Sequence, residues 1–359
     1  MTKLSVCMII LNEEAILRRI LNCAKTFCDE LIIVDTGSSD KSKEIAREYT
    51  DNIYDFVWVN DFSKARNYSF SKAKCDYIMW LDADDFITNE NCDKLKKLKL
   101  QLNNFDTILL PYVLGKNKSR MIYYRERIVK NDGTHLWLDP IHEVMQITGK
   151  IGKFDIEIEH RKEKANNPKR NLKVYQKLKK DGMIFNARQQ FYYASEYYYN
   201  NLFHKAIAEY KVFFQMPNKY IENELQGYLN IARCYLNLSK IISNSSTAQN
   251  RLRDFACLYL LKAIELDPRC EHLCELGIVL MEKEKFKSAI LCFDTCLKLD
   301  IKSDFAFNEK DKHDLIPYIN LGFCYYRLNN IKKAINYNNL ALKLAPDNEI
   351  ALNNQKYFK

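Results

Sequence analysis

Several features that would assign this chain of 359 residues to a common class are absent from its sequence. No apolar run approaches the roughly 20 residues that a membrane span needs. The apolar stretch Leu4–Leu11 has neither a charged leader nor a small-residue cleavage site, and Asn12 and Glu13 follow it at once, so we expect a first strand. No basic run is interleaved with aromatic residues as in RNA- or DNA-binding modules. These absences predict a soluble, cytoplasmic protein that binds no nucleic acid.

Metal-binding spacing is also missing among the twelve cysteines. Cys270 and Cys274 lie four residues apart, as do Cys292 and Cys296, which is the spacing of neighbours on one helix face. We therefore expect reduced thiols and no structural zinc.

The composition is that of an ordinary folded protein, with 47% hydrophobic and 13% aromatic residues. The length predicts about two domains. A net charge of +9 is mild for this length and suits a partner that carries phosphate.

The first half of the chain alternates short apolar runs with helical stretches. This order predicts an α/β domain, Rossmann-like, with a mostly parallel sheet. The expected strands are Val6–Leu11, Leu31–Asp35, Ile53–Val59, Tyr77–Leu81, Thr107–Tyr112 and Ile156–Glu159, and the expected helices include Glu14–Phe27 and Lys41–Tyr49.

The second half carries an internal repeat in which small residues recur at a spacing of twelve. The pairs are Ala194 and Ala206, Gly277 and Ala289, and Gly322 and Ala334, while Ala232 and Ala256 are 24 apart with an insertion that contains Ser243–Ser246. Pro268 and Pro346 close two of the units, which is the tetratricopeptide pattern of paired helices. It predicts about four repeats, at 187–220, 225–269, 270–303 and 315–348.

These patterns divide the chain into a domain at 1–165, a basic linker helix at 166–186 and helical repeats at 187–359. The stretch Arg161–Lys180 holds nine basic residues and one acidic residue, Glu163, and Pro168 is suited to begin its helix. A solvated linker is the plain interpretation, and the alternative is that Arg170 reaches a diphosphate.

Three carboxylates follow the apolar run Tyr77–Trp80, in the sequence Leu81-Asp82-Ala83-Asp84-Asp85. Acidic groups at a strand end repel one another unless a cation or a network of hydrogen-bond donors holds them, and Mg²⁺ bound to substrate phosphates is the economical explanation. The alternative is an acidic turn before a helix that begins near Thr88.

Other polar clusters follow the neighbouring strands. They are Asn12-Glu13-Glu14, Asp35–Asp40 and Asp61–Asn67. Each by itself indicates a helix start. Together with Asp82–Asp85 they would lie along one sheet edge and form a pocket suited to a nucleotide, with Asn12 and Glu13 among its residues.

In this order the motifs resemble family 2 glycosyltransferases of the GT-A fold. They are Asn-Glu-Glu, Ile-Val-Asp-Thr-Gly-Ser-Ser-Asp, Asp-Phe-Ser-x-Ala-Arg-Asn and the Asp-Ala-Asp (DXD) motif, followed by Trp137–Glu143. The last element is similar to an aromatic-x-Gly-x-Val-His-Glu element, with Asp139 where glycine is common. Its subgroup includes lipopolysaccharide-core glucosyltransferases and the peptide S-glycosyltransferases of glycocin bacteriocins of the sublancin type, which also carry tetratricopeptide-like helices.

The resemblance implies roles for single residues. Asp35 would contact the uracil or ribose, Arg66 the base or diphosphate, and Asp82 the ribose. Asp84 would coordinate Mg²⁺ or Mn²⁺, and His160 would complete the metal site. Glu143 would be the general base with Asp139 as second candidate, and His142 would orient it or bind phosphate. The alternatives are that Glu143 pairs with a lysine and that His160 is a linker residue.

The resemblance further implies an inverting transfer of a hexose or N-acetylhexosamine from a UDP-sugar to a Cys or Ser side chain of a peptide or protein. It also suggests a homodimer through the repeats. The competing hypotheses are a lipopolysaccharide-core or capsule glucosyltransferase and a non-catalytic repeat adaptor.

Overall fold

The computed structural model describes residues 2–115, 121–161, 169–242, 245–300 and 310–358. The chain folds into two compact units, Met1–Asn167 and Pro168–Lys359. The predicted domain boundary at 165–166 and the helix start at Pro168 lie outside the described residues. Among the described helices, none combines the length and the apolar character that crossing a membrane requires.

The first unit is built on a mixed β-sheet. Its strands are β1 (Leu4–Ile10), β2 (Glu30–Asp35), β3 (Ile53–Asp55), β4 (Tyr77–Trp80), β5 (Asp85–Phe86), β6 (Thr107–Leu114), β7 (Met121–Lys130), β10 (Ile151–Lys153) and β11 (Ile158–His160), while β8 (Trp137–Leu138) and β9 (Val144–Met145) form a separate hairpin. The order is β3-β2-β1-β4-β7-β6-β11-β5, and β10 pairs with β6.

Parallel pairing joins β1 to β2 and β4, and β2 to β3, as the alternating pattern predicts. The sequence reasoning missed β7, which runs antiparallel between β4 and β6. The predicted strand Ile53–Val59 ends early, at Asp55, because its neighbour β2 ends at Asp35, whose carbonyl accepts a hydrogen bond from Phe56 N at 2.8 Å. Val57, beyond this point, is 86% exposed.

Helices cover both faces of the sheet, since side chains along a strand alternate between its faces. Val6 and Met8 on β1 pack with α1 (Leu17–Ala24), α2 (Ser42–Arg47) and α4 (Asn89–Lys99). Cys7, which lies between Val6 and Met8, faces the opposite side of the sheet. There it packs with Trp80 of β4 and with Phe70 of α3 (Phe62–Phe70). Thr88 caps α4 by accepting a hydrogen bond from Asn91 N, as predicted for a helix start there.

A disulfide joins Cys23 on α1 to Cys92 on α4, across 69 residues of sequence. The expectation that the cysteines are all reduced is therefore wrong for this pair. The reason is tertiary, because α1 and α4 lie side by side on one face of the sheet. Cys270, Cys274 and Cys296 are free and buried in the second unit.

The described part of the second unit is helical. It contains α5 (Arg170–Lys180), α6 (Ala187–Tyr199), α7 (Phe203–Phe214), α8 (Ile221–Ile241), α9 (Ser246–Leu266), α10 (Cys270–Glu282), α11 (Phe286–Cys296), α12 (Leu315–Arg327), α13 (Ile331–Leu344) and α14 (Glu349–Tyr357). The pairs α6–α7, α10–α11 and α12–α13 lie within the predicted repeats at 187–220, 270–303 and 315–348, whereas the pair α8–α9 begins at Ile221, before the predicted start of the second repeat at 225. The insertion in the second repeat lengthens α8 and α9 to 21 residues each, and Ser245 caps α9. Ser243 and Asn244 lie outside the described residues.

Small residues lie where the two helices of a pair touch. Ala194, Ala206, Ala289 and Ala334 are fully buried. A Cβ at Gly277 would lie 2.6 Å from the ring of Phe293 on the partner helix. The twelve-residue spacing thus reflects close approach of paired helices.

We expect Gly277→Ala to destabilise the protein by about 1–3 kcal/mol, because the added methyl group overlaps an aromatic ring that is packed on all sides. At an open helical site the same change would stabilise by roughly 1 kcal/mol through helix propensity. Urea unfolding measures the change in the free energy of unfolding for each variant. Gly227→Ala is the matched control, since its Cβ would lie 3.2 Å from the nearest ring atom. A Gly277→Ala variant as stable as the control would contradict this account.

Candidate active site

The polar residues that follow β1, β2 and β4 meet at one edge of the sheet. These strands are adjacent and parallel, so their carboxyl ends lie together. Asn12, Asp35 and Asp82 are thereby brought to the same edge, as the sequence predicts. This edge is also where open α/β sheets bind ligands.

The loops after β1 and β2 are tied to each other. Asp35 is buried, and its carboxylate accepts hydrogen bonds from the backbone N–H groups of Gly37 and Ser38 at 3.3 and 3.1 Å. Asn12 N donates to Ser38 Oγ at 2.9 Å, and Asn12 Oδ1 accepts from Ser39 N at 2.7 Å. Asn12 also has a left-handed φ of 55°. These bonds give Asn12 and Asp35 a structural role in shaping the edge, and their contacts to a nucleotide stay predictions.

The loop after β1 continues in the same way at the next residue. The backbone N–H of Glu13 donates to Ser42 Oγ at 2.6 Å, at the start of α2. The predicted nucleotide contact of Glu13 stays a prediction.

Arg66 lies at the centre of the described site. Its side chain is 9% exposed, and it donates from Nη2 to Asp82 Oδ1 and from Nε to Glu143 Oε1, both at 2.9 Å. The guanidinium carbon lies 5.0 Å from the Trp80 ring centroid and 4.8 Å from that of Trp137. Burial would raise the pKa of Asp82, but the charges of Arg66, Arg127 and Arg125 and the Arg66 hydrogen bond together outweigh burial, and the pKa lies below its ordinary value. Arg66 therefore joins a predicted ribose ligand to the predicted base.

The alternative to a catalytic role for Glu143 was an ion pair with a lysine. In the structure Glu143 pairs with an arginine instead, Arg66. The pairing has a local cause, because α3 presents Arg66 on the sheet face that carries Trp80. Glu143 is 16% exposed in its side chain. It is thus a partly buried carboxylate next to a fixed cation.

The motif that supplies Arg66 also fastens the β8–β9 hairpin. Asn67 donates to the carbonyl of Trp137 and accepts from its N–H, both at 2.9 Å. Phe62 N donates to the carbonyl of Pro140 at 2.8 Å, and Asp61 caps α3. The Asp-Phe-Ser-x-Ala-Arg-Asn motif therefore positions the segment that carries Asp139, a role that the sequence reasoning did not assign.

Asp139 and His142 adopt left-handed backbone conformations, with φ of 69° and 53°. Glycine adopts such angles without strain. This is consistent with the glycine that is common at the position of Asp139 in the family 2 glycosyltransferases that the motifs resemble. Strained residues of this kind concentrate at functional sites. The structure thus brings Asp139 and His142 into the segment that ends at Glu143.

A cluster of two carboxylates and a histidine lies at the end of the acidic turn Asp82–Asp85. Asp84, Asp85 and His160 each offer one donor atom, and these atoms lie within 4.8 Å of one another. The cause is the antiparallel pairing of β5 with β11, which sets His160 opposite Asp85. His160 Nδ1 lies 3.3 Å from Asp84 Oδ1, and this contact raises the pKa of His160. The two residues that the resemblance assigns to the metal therefore lie in contact, and their binding of an ion stays a prediction.

Asp85, which the sequence assigned only to the turn, is the third member of this cluster. It is fully buried, and burial raises its pKa against the opposing charge of Arg127. Its Oδ1 has no hydrogen-bond partner in the described part of the chain. Two carboxylates and an imidazole, with a buried lone oxygen among them, fit a divalent cation such as Mg²⁺ or Mn²⁺.

Comparison with known proteins identifies the first unit. Residues 5–158 match the family model described as "Glycosyl transferase family 2". The first unit is a family 2 glycosyltransferase domain.

Two relatives match this chain over part of their length, and one of them is named as a glycosyltransferase. The chain is 32% identical over 109 residues to the SPbeta prophage-derived glycosyltransferase SunS of Bacillus subtilis, covering 29% of this chain and 26% of that protein. It is 31% identical over 147 residues to a TPR repeat-containing protein of Synechococcus elongatus, covering 40% and 36%. The chain therefore spans about a quarter to a third of the length of these relatives.

Solved structures with a similar arrangement include the TPR protein YrrB, at a TM-score of 0.40 and 18% identity, covering 53% of this chain and 84% of that one. S. aureus TarS has a TM-score of 0.36 at 14% identity, covering 74% and 53%.

Arg170, the remaining predicted binding residue, begins α5 in the second unit rather than in the glycosyltransferase domain. It is exposed, and its Nε lies 3.3 Å from Asn171 Oδ1. Its contact with a diphosphate stays a prediction.

We expect Arg66→Met to lower the free energy of unfolding by about 3–5 kcal/mol, because it leaves two partly buried carboxylates without their cation. Thermal or urea unfolding measures this. Lys64→Met on the same helix is the control, since Lys64 is 67% exposed and should change stability by less than about 1 kcal/mol. Adding Asp82→Asn and Glu143→Gln should recover part of the loss. An Arg66→Met variant as stable as the control would contradict the central role of this ion pair.

Proposed function

We propose that the protein is an inverting glycosyltransferase that uses a divalent metal to transfer a hexose or N-acetylhexosamine from a UDP-sugar to a Cys or Ser side chain of a peptide. The observation that carries the proposal is the Asp84–Asp85–His160 cluster at the strand ends of a family 2 domain. The local identity to SunS and the helical repeats support a peptide acceptor.

In this proposal Asp84, Asp85 and His160 hold the ion, and Asp82 and Asp35 hold the ribose and uracil. Once bound, the ion stabilises the negative charge that develops on the departing nucleotide diphosphate. An imidazole beside two carboxylates suits Mn²⁺ better than Mg²⁺.

Inversion requires a base on the side of the sugar opposite the leaving group. Glu143 is our candidate, because the Arg66 ion pair fixes its position and the Asn67–Trp137 bonds hold its segment. Asp139 is the second candidate. The left-handed His142 directly before Glu143 would then set the direction of that side chain.

Transfer can be tested by incubating the purified full chain with a panel of UDP-sugars and peptides containing Cys or Ser, with Mn²⁺ or with chelator. The proposal predicts a mass increment of one hexose or N-acetylhexosamine on the peptide, lost with chelator. Transfer only to a lipid-linked saccharide would overturn the peptide assignment in favour of a lipopolysaccharide-type enzyme. Absence of UDP binding in calorimetry would instead favour the non-catalytic adaptor.

For the metal site, we expect Asp84→Ala to abolish transfer and Mn²⁺ binding, while the protein still melts cooperatively. Asp84 is partly exposed, so its loss leaves no buried cavity. Asp93→Ala is the control, because Asp93 is an exposed carboxylate on α4 that pairs locally, with Lys96. Unchanged turnover by Asp84→Ala would refute the assigned role.

For the base, we expect Glu143→Gln to slow transfer to a serine peptide far more than transfer to the matched cysteine peptide. A thiol has a pKa near 8.5 and loses its proton without strong help, whereas a hydroxyl depends on a base. Measuring kcat for both peptides over a pH series tests this. An equal loss for both acceptors would indicate that Glu143 does not act as the base.

A further inference from the structure

A second arginine, Arg127 on β7, is enclosed directly beneath the acidic turn. Its side chain and that of Asp85 are both 0% exposed, and Arg127 Nη1 donates to Asp85 Oδ2 at 2.9 Å. The guanidinium carbon lies 3.7 Å from the Trp80 ring centroid and 4.4 Å from that of Tyr112. The cation is therefore held between two aromatic rings, with one carboxylate as its counter-ion.

The enclosure of Arg127 lowers the stability of the fold in one respect. Nε and Nη2 of Arg127 are buried and have no hydrogen-bond partner among the described residues. An unsatisfied buried donor costs about 1–3 kcal/mol, and a buried ion pair can often be replaced by packed apolar groups without loss of stability. Stability alone therefore does not account for an arginine at this position.

Arg127 acts on the proposed metal cluster along one route through Asp85. Asp85 Oδ2 accepts from both Arg127 Nη1 and the backbone N–H of Asp82, at 2.9 Å each. These two bonds fix the orientation of the carboxylate and leave Oδ1 as its uncommitted oxygen. Asp85 thus presents one oxygen to the protein and retains the other for a ligand.

A second route passes through Tyr112. Its ring packs on the guanidinium of Arg127, and its centroid lies 5.9 Å from that of the His160 imidazole. Arg127 therefore contacts one member of the cluster, Asp85, directly, and it contacts a neighbour of a second member, His160. Asp84, the third member, is joined to His160 by the 3.3 Å contact.

We propose that Arg127 is a positioning residue for the divalent cation, which orients Asp85 by direct ion pairing and His160 through the ring of Tyr112. This inference rests on the proposed metal site and adds a residue that lies outside the set of ligands. Partners of this kind behind a metal ligand change metal affinity by about 10–100-fold when they are removed.

The test is calorimetric titration of the full chain with Mn²⁺ alone, so that it does not depend on donor, acceptor or turnover. We expect Arg127→Met to weaken Mn²⁺ binding by about 10–100-fold, and Arg127→Lys to recover part of this loss because it restores a cation beside Asp85. Arg125→Met is the matched control. Arg125 lies on the same strand and 5.2 Å from the Trp80 ring, but it pairs with Glu126, so its loss should change Mn²⁺ affinity by less than about 3-fold.

Removing Arg127 also leaves a buried carboxylate without a counter-ion, which can unfold the protein. The Asp85→Asn/Arg127→Met double variant avoids this because it removes both charges. Asp85→Asn alone leaves the buried Arg127 cation without its counter-ion, so thermal unfolding first checks that this variant is folded. If Arg127 acts through Asp85, the second substitution should add little to the loss of Mn²⁺ affinity that the first one causes.

Three outcomes separate the proposals. Tight Mn²⁺ binding by the wild-type protein together with unchanged binding by a folded Arg127→Met variant would overturn the positioning role alone. Unchanged binding by Asp85→Asn would overturn the positioning role and also remove Asp85 from the proposed ligands. Failure of the wild-type protein to bind Mn²⁺ would overturn the metal site of the proposed function as well.

Discussion

Arg66 is a charged group enclosed by the rings of Trp80 and Trp137, and a protein interior does not hold such a group without compensation. The compensation comes from Asp82 at a strand end and from Glu143 in the loop between β8 and β9, directly before β9. Because both carboxylates must meet one planar guanidinium, the ion pair fixes the distance between the proposed donor side and the proposed base. The local structure of the site depends on this one cation.

An arginine–carboxylate ion pair holds each end of the acidic turn Asp82–Asp85. Arg66 binds Asp82 at its start and Arg127 binds Asp85 at its end, and both guanidinium groups lie against Trp80. Asp84, between the anchored carboxylates, is the member left to contact His160. Fixing two of the three acidic groups orders the third before any ligand arrives, and such preorganisation favours binding of a cation.

The helical repeats follow a simpler rule. Close contact of paired helices requires small residues at the crossing, so Ala194, Ala206, Gly277 and Ala289 recur at a fixed spacing that can be found in the sequence without a structure. The serines at 243–246 predict a loop within the insertion of the second repeat, and α8 ends before this stretch, at Ile241. The rest of the insertion extends α8 and α9 to 21 residues each, and the two helices pack against each other, which local residue preferences do not report.

By itself the sequence determined the α/β and helical-repeat halves, the strand-end position of Asp82 and Asp84, and the family to which the first unit belongs, because periodicity and motif order are local properties. Only the tertiary structure decided which charges meet. Arg127 lies 42 residues from Asp85, and Cys23 lies 69 residues from Cys92. These contacts arise from strand order and helix packing, since partners so distant in sequence leave no local pattern from which their meeting could be predicted.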